Sequence, residues 1–214
     1  MRGIRLDLLG ILVAGSRHRL VLLAAAARGL FLFDVRCLRL VAQTVLPMGF
    51  LDGWKYCPRC TAELARVDDY VHCGACGLRV YAHSQPGAEA VCFDDAGRIL
   101  LGRRGDDPRA GYWDLPGGFV LEGELPLDGM LREVEEETGR RPQPIEFLGM
   151  WNEPYFERVV LCLTWIARLN GEVAAADDLA ELRWFEADEL PWDELAFTHY
   201  ADALSLALRR YQHA

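Results

Sequence analysis

Positive charge is what this chain lacks overall. Its 23 Lys and Arg stand against 32 Asp and Glu, a formal net charge of -9, which leaves no general grip on a phosphate backbone and speaks against nucleic acid as a partner. Lysine is nearly missing: Lys55 stands alone among 22 Arg, and no functional reading attaches to that bias. Long apolar runs are absent as well. The run at residues 20–33 is 14 residues long and already holds Arg28 and Gly29, short of the roughly 20 residues a membrane span needs. An even set of cysteines is missing too. Seven Cys cannot all pair, and four of them fall into two close pairs, which points to metal in a reducing, cytoplasmic compartment. What remains is an ordinary globular balance, 51% hydrophobic and 26% charged over 214 residues. That excludes a wholly disordered chain and allows one domain plus a small satellite.

Residues 1–47 differ from the rest. They hold seven Arg and two Asp, a net of +5, so residues 48–214 carry -14. Arg17-His18-Arg19 splits two apolar runs, whereas a signal peptide places one basic cluster before one apolar core. Three readings compete for this stretch: an amphipathic element on an anionic membrane surface, a helical add-on packed on the body, or an upstream stretch produced by start-codon choice. The third is preferred, because the stretch ends where recognisable organisation begins, at about Met48.

The first chemical signal is Cys57-Pro58-Arg59-Cys60 followed, twelve residues later, by Cys73-Gly74-Ala75-Cys76. Two Cys separated by two residues turn both sulfurs toward one point, and two such knuckles supply the four soft ligands of tetrahedral zinc. Two short strands fit between them, the outline of a zinc ribbon over residues 54–83, whose core is too small to fold without its metal. Disulfides or a dithiol redox site are the alternatives. A closed set of four thiolates leaves no open position, so the expected role is structural. Cys37, Cys92 and Cys162 stand alone and read as packing residues.

The second signal lies downstream. Asp114-Leu115-Pro116-Gly117-Gly118 is a turn that lets backbone approach a ligand closely. From about Leu125 the apolar spacing of Leu127, Met130, Leu131 and Val134 predicts a helix, with Gly139 placed to end it. Glu133, Glu136 and Glu137 fall at i, i+3 and i+4, on one face. Stacked like charges repel, and a hard divalent cation such as magnesium or manganese reverses the sign. A solvated acidic face is the plainer alternative.

Gly118, five residues, Glu124, seven residues, then Arg132-Glu133-Val134-x-Glu136-Glu137-x-Gly139 resembles the Nudix box, G-x5-E-x7-R-E-U-x-E-E-x-G-U with U aliphatic. Eight of its nine specified positions are met; Arg140 replaces the last aliphatic residue. The resemblance spans residues 85–197 and implies a Nudix α/β/α sandwich with a mixed sheet, preceded by the small zinc ribbon and closed by a helix within residues 198–214. It implies that Glu133, Glu136 and Glu137 hold magnesium or manganese, that Glu137 orients or deprotonates the attacking water, and that Arg132 pairs with a box Glu. Glu124 would brace the loop–helix–loop, and Gly117 and Gly118 would bring backbone to metal-bound phosphates. The implied reaction is hydrolysis of a pyrophosphate linking a nucleoside to another group. Strands are expected at 89–93, 99–103, 146–152, 159–167 and 182–185, and a helix at 200–211.

The linked group is less determined. A ribbon before a Nudix domain resembles NADH pyrophosphatases, but their Ser-Gln-Pro-Trp-Pro-Phe-Pro run after the box is absent. The wording of residues 111–120 and of Trp192-Asp193-Glu194-Leu195-Ala196-Phe197 is similar to ribbon-bearing Nudix proteins acting on ADP-ribose or FAD. NADH and oxidised nucleoside triphosphates remain alternatives. Tyr112, Trp113, Trp151, Tyr155 and Phe156 are candidates to stack a nucleobase, with strand packing the competing role. Arg103 and Arg104 are candidates for substrate phosphate. Glu181 matches a position where many Nudix enzymes keep a further acid for a second metal or as base; Asp177, Asp178 and Glu153 are weaker rivals. A non-catalytic nucleotide sensor of Nudix fold is the reading from another class, and the intact box carboxylates weigh against it. A homodimer and a membrane contact through residues 1–47 are left open.

Overall fold

The computed structural model describes residues 49–211 together with the backbone of β1 (Val13–Ser16), β2 (Arg19–Ala26) and β3 (Gly29–Leu32). These three strands form an antiparallel sheet in the order β1-β2-β3, within a unit that spans Met1–Val45. The helical add-on is therefore not what these segments form: their Val, Leu and Phe residues suit paired extended backbone. Cys37 lies outside the described residues.

The second unit, Leu46–Ala214, opens with a small antiparallel sheet of β4 (Leu64–Val67), β5 (Tyr70–Cys73) and β6 (Arg79–Tyr81). Two strands lie between the cysteine knuckles, as expected, and the third follows the second knuckle. Leu64 faces Cys73 across the first pair, so the hairpin carries the second knuckle back beside the first.

The larger sheet has seven strands. β7 (Gln85–Phe93) and β8 (Ile99–Arg104) flank the turn at 94–97. β9 (Trp113–Asp114) and β10 (Gly117–Phe119) lead into α1 (Pro126–Thr138). Then come β11 (Gln143–Tyr155), β12 (Arg158–Arg168), β13 (Leu179–Phe185) and α2 (Tyr200–Tyr211). The order is β11-β12-β7-β8-β13, with β10 on β7 and β9 on β8. β12 runs parallel to β7 and the other pairings are antiparallel.

β7 shows why this is a sandwich. Side chains alternate across a strand, and both of its faces are buried. Ala88, Ala90 and Cys92 join Met130 and Val134 of α1 in one core, while Val91 and Phe93 join Ala203, Leu204 and Ala207 of α2 in the other. Met130 and Val134 lie one turn apart and are fully buried, each contributing on the order of 1.5–3 kcal/mol of apolar burial. Among the described residues, no helix is long and apolar enough to cross a membrane.

Candidate active site

Two glycines and a helix build one side of the site. Gly117 and Gly118 lie in β10, opposite Glu89 and Ala88 of β7. A Cβ at Gly117 would come 2.4 Å from the Ala88 carbonyl oxygen, and one at Gly118 would come 2.5 Å from the Glu133 carboxyl carbon. Backbone leaves room for hydrogen alone at Gly117, whereas a Cβ at Gly118 would push the Glu133 carboxylate aside. α1 begins with Pro126 in its first turn and ends at Gly139, whose φ of 72° suits a residue without a side chain. Its Glu137 is 4% exposed and accepts a hydrogen bond from the Gly117 N–H at 2.8 Å. Burial, reinforced by the charge of Asp114, pushes the Glu137 carboxyl up to about 10 despite that bond. Burial also raises Glu133, against the pull of Arg132.

Arg132 ties the helix to the loop before it. Its Nε and Nη2 donate to the two oxygens of Glu124 at 2.9 and 3.0 Å, and Nη2 also donates to the Phe119 carbonyl at 3.1 Å. Its Nη1 donates to Glu133 at 2.8 Å and Glu136 at 2.9 Å. Arg132, with the Leu121 N–H, holds Glu124 down to about 2. Paired carboxylates in turn make Arg132 harder to deprotonate.

These elements open onto a cleft of about 250 Å³. Glu89, Asp114, Glu133, Glu137, Glu153, Asp177 and Asp178 line it, against Arg104 as the lining cation. Arg104 is itself held by Asp114, which also accepts from the Tyr200 hydroxyl. Phe119, Tyr155 and Phe197 supply an aromatic side, with Phe119 and Tyr155 edge to face at 5.5 Å. So dense a set of carboxylate oxygens suits hard divalent cations.

A second buried cluster adjoins the cleft on the α2 face of the sheet. His199 shares Nδ1 with Glu153 at 3.0 Å and Nε2 with Glu89 at 2.9 Å. The Thr164 hydroxyl donates to Glu89 at 2.7 Å and the Thr198 hydroxyl to Glu153 at 2.8 Å. Burial opposes a charge on the imidazole, but Glu89, Cys162 and Glu153 outweigh it and push His199 up to about 12.

Comparison with known proteins now decides the family. The NUDIX domain matches residues 83–205. The chain belongs to the NUDIX family. An ADP-ribose pyrophosphatase of Methanocaldococcus jannaschii is 34% identical over 124 residues, 56% of this chain and 72% of that protein. An NAD-capped RNA hydrolase, NudC, of Pseudomonas aeruginosa is 28% identical over 142 residues, 64% of this chain and 49% of that protein; the chain thus spans about half of NudC. A NUDIX hydrolase from Nitrosomonas europaea has a crystal structure that superposes with a TM-score of 0.63 at 25% identity, covering 75% of this chain and 93% of that one. The protein is a Nudix hydrolase, of a family that cleaves pyrophosphate bonds in nucleotide derivatives.

Within the Nudix frame, the box residues fall unequally. Glu133, Glu137, Gly117 and Gly118 line the cleft, as do Tyr155, Arg104 and the rivals Asp177, Asp178 and Glu153. Glu136 does not: its side chain is half exposed and turned to Arg132. Trp113 is no stacking surface, because it is 5% exposed and packs edge-on against Phe185 in the core. Arg103 donates to the Gly111 carbonyl and lies over the Trp113 ring, away from the cleft. Glu181 is drawn to Arg103 at 3.7 Å and is likewise outside; β13 pairs its position with Arg103 rather than with α1. Trp151 packs against the α2-side core, while Tyr112 and Phe156 are exposed and outside the cleft lining. Cys92 is core, whereas Cys162 lines the cleft. Arg140 sends its Nε to the Glu172 carbonyl at 2.9 Å, which is how a charged residue occupies an aliphatic position of the box.

Sequence reasoning missed Glu89, Asp114, His199 and Tyr200. The signal for Glu89 was present: a lone acid inside the apolar strand 88–93 is either paired or functional.

At the small sheet, the sulfurs of Cys57, Cys60, Cys73 and Cys76 all lie within 4.8 Å of one another. All six described cysteines are free, so the disulfide alternative does not describe this structure.

Proposed function

We propose that this Nudix hydrolase cleaves the pyrophosphate of a nucleoside diphosphate joined to another group, with ADP-ribose or FAD as substrate, giving a nucleoside monophosphate and a phosphorylated product. The observation that carries it is the convergence of Glu133, Glu137, Gly117 and Gly118 on one acid-lined cleft. Glu133 and Glu137, with Glu136 at the helix surface, would hold magnesium or manganese. The fit rests on the donor set: two carboxylates that burial drives toward the neutral form gain a partner for their charge. A bound cation would neutralise the diphosphate and lower the pKa of a coordinated water from 15.7 toward neutrality. The chain's own residues supply position. The Gly117 N–H fixes Glu137, which would orient or deprotonate the attacking water; bare backbone at Gly118 would admit a phosphate, and Arg132 locks the helix to its loop. Phe119, Tyr155 and Phe197 offer π-faces to a nucleobase, and Arg104 backs the phosphates.

Cys57, Cys60, Cys73 and Cys76 would hold a structural zinc, and their free thiols suit a reducing cytoplasm. The 34% identity to a protein named ADP-ribose pyrophosphatase supports the substrate reading. The NudC likeness favours a second reading, a dinucleotide or NAD-capped RNA end. A product-resolved screen with magnesium and with manganese separates them, offering ADP-ribose, FAD, NADH, NAD-capped RNA, diadenosine polyphosphates and oxidised nucleoside triphosphates. ADP-ribose or FAD should lead by about tenfold or more in kcat/KM, a margin of about 1.4 kcal/mol. A lead by NADH, capped RNA or a triphosphate overturns the assignment.

A further inference from the structure

We propose that Glu89, Cys162 and His199 form a second divalent-metal site, separate from the carboxylates of α1 and suited to a borderline-soft cation such as zinc. One sulfur, one nitrogen and one oxygen donor lie within 4.8 Å of one another. All three residues are buried, at 7%, 6% and 4% exposure. Their approach is built into the sheet: β12 runs parallel to β7 in a register that sets Thr164 beside Glu89 and Cys162 beside Gly87, so Glu89 and Cys162 point from one face. His199 comes down onto that face from the segment before α2.

The surroundings are those of ligands already aimed. Glu153 takes the Nδ1 side of His199 at 3.0 Å and its backbone N–H at 3.3 Å, which turns Nε2 toward Glu89. A carboxylate behind an imidazole in this way is the usual partner of a metal-bound histidine. The Thr164 hydroxyl likewise fixes Glu89. Mixed sulfur, nitrogen and oxygen donors match zinc rather than magnesium, which prefers oxygen alone. Glu89 and Cys162 also line the cleft, so a three-ligand ion there keeps an open position for water or a phosphate oxygen. Binding displaces the Cys162 thiol proton and the proton shared by His199 and Glu89. Two protons leave as one divalent cation enters, so the net charge of the buried cluster, with Glu153 counted, does not change.

The test uses the full protein with its ribbon filled by one equivalent of zinc, verified by elemental analysis, in buffer without magnesium. Cobalt(II) is titrated in. One further equivalent should bind with a tetrahedral visible spectrum and a near-ultraviolet thiolate-to-cobalt band, which zinc then bleaches. Cys162→Ser and His199→Gln should each weaken that binding at least tenfold, and Glu137→Gln should leave the band in place. Cys162→Ser changes one atom, and its melting temperature checks the fold; should His199→Gln not fold, Cys162→Ser decides. No thiolate band in the wild-type protein overturns the site. So does a band that survives in Cys162→Ser, because the cobalt then sits in the ribbon.

Discussion

The helix side of the cleft and its α2 side are both acidic and both buried, yet they are held by opposite means. Along α1, Glu133 and Glu137 have too little counter-charge: Arg132 serves Glu124, Glu133 and Glu136 from the solvent side, and Glu137 has a backbone N–H as its donor. On the α2 side, Glu89 and Glu153 share one imidazole and two threonine hydroxyls. The first group is unfinished without a cation, and the second is complete with a proton. Charge is left unsatisfied at one end and closed by a proton at the other, so a cation meets open carboxylates along α1 and must displace a proton on the α2 side.

Two substitutions should pull that contrast apart. Glu137→Gln should lower kcat about 10²–10⁴-fold, the range for loss of an acid–base group, with a melting temperature equal to the wild type or above it. The amide keeps an oxygen for the Gly117 N–H and stays neutral, the form that burial already favours for Glu137. Steady-state kinetics and calorimetry on the same preparation read both effects, and a large fall in melting temperature would mean that Glu137 holds the fold. Glu153→Ala should do the reverse. It strips a buried imidazolium of one partner, which costs about 3–5 kcal/mol. Urea unfolding should register that loss while kcat per folded molecule falls far less than in Glu137→Gln.

Legibility in the sequence divides along the same line. The α1 group lies within 21 residues, from Gly117 to Glu137, so helical periodicity and turn chemistry bring it together on paper. The hydrogen-bonded α2 group joins Glu89, Glu153, Thr164, Thr198 and His199 through strand pairing, and its Glu89–His199 bond spans 110 positions. Local pattern carries no information about which strand lies beside which. The seven-stranded order could not be drawn from periodicity, although its longer strands and both helices could. Glu181 went astray for the same reason: its neighbour is set by the β8–β13 register, which pairs it with Arg103. Trp113 misled because an aromatic beside a glycine turn looks the same whether it faces solvent or core. Residues near in the chain are brought together by spacing, though Glu136 shows that spacing alone does not say which of them faces the cleft; residues that meet through the sheet are not.

The smallest effect expected concerns Glu124, which joins the loop to α1 without lining the cleft. Its carboxylate is held down to about 2 from an ordinary value of 4.5, through Arg132 and the Leu121 N–H. A carboxylate whose folded pKa lies below its unfolded one stabilises the fold above the unfolded value and loses that contribution as pH falls through the folded one. The melting-temperature gap between wild type and Glu124→Gln should therefore stay constant above about pH 4.5 and close between about 4.5 and 2. Taking the difference removes the other carboxylates, which titrate alike in both proteins. A gap that widens in acid would show that Glu124 is not the group Arg132 depends on. The loop–helix joint would then rest on the Phe119 carbonyl and on Glu133, the remaining Arg132 partners that tie it to the β10 end and to the metal-facing stripe.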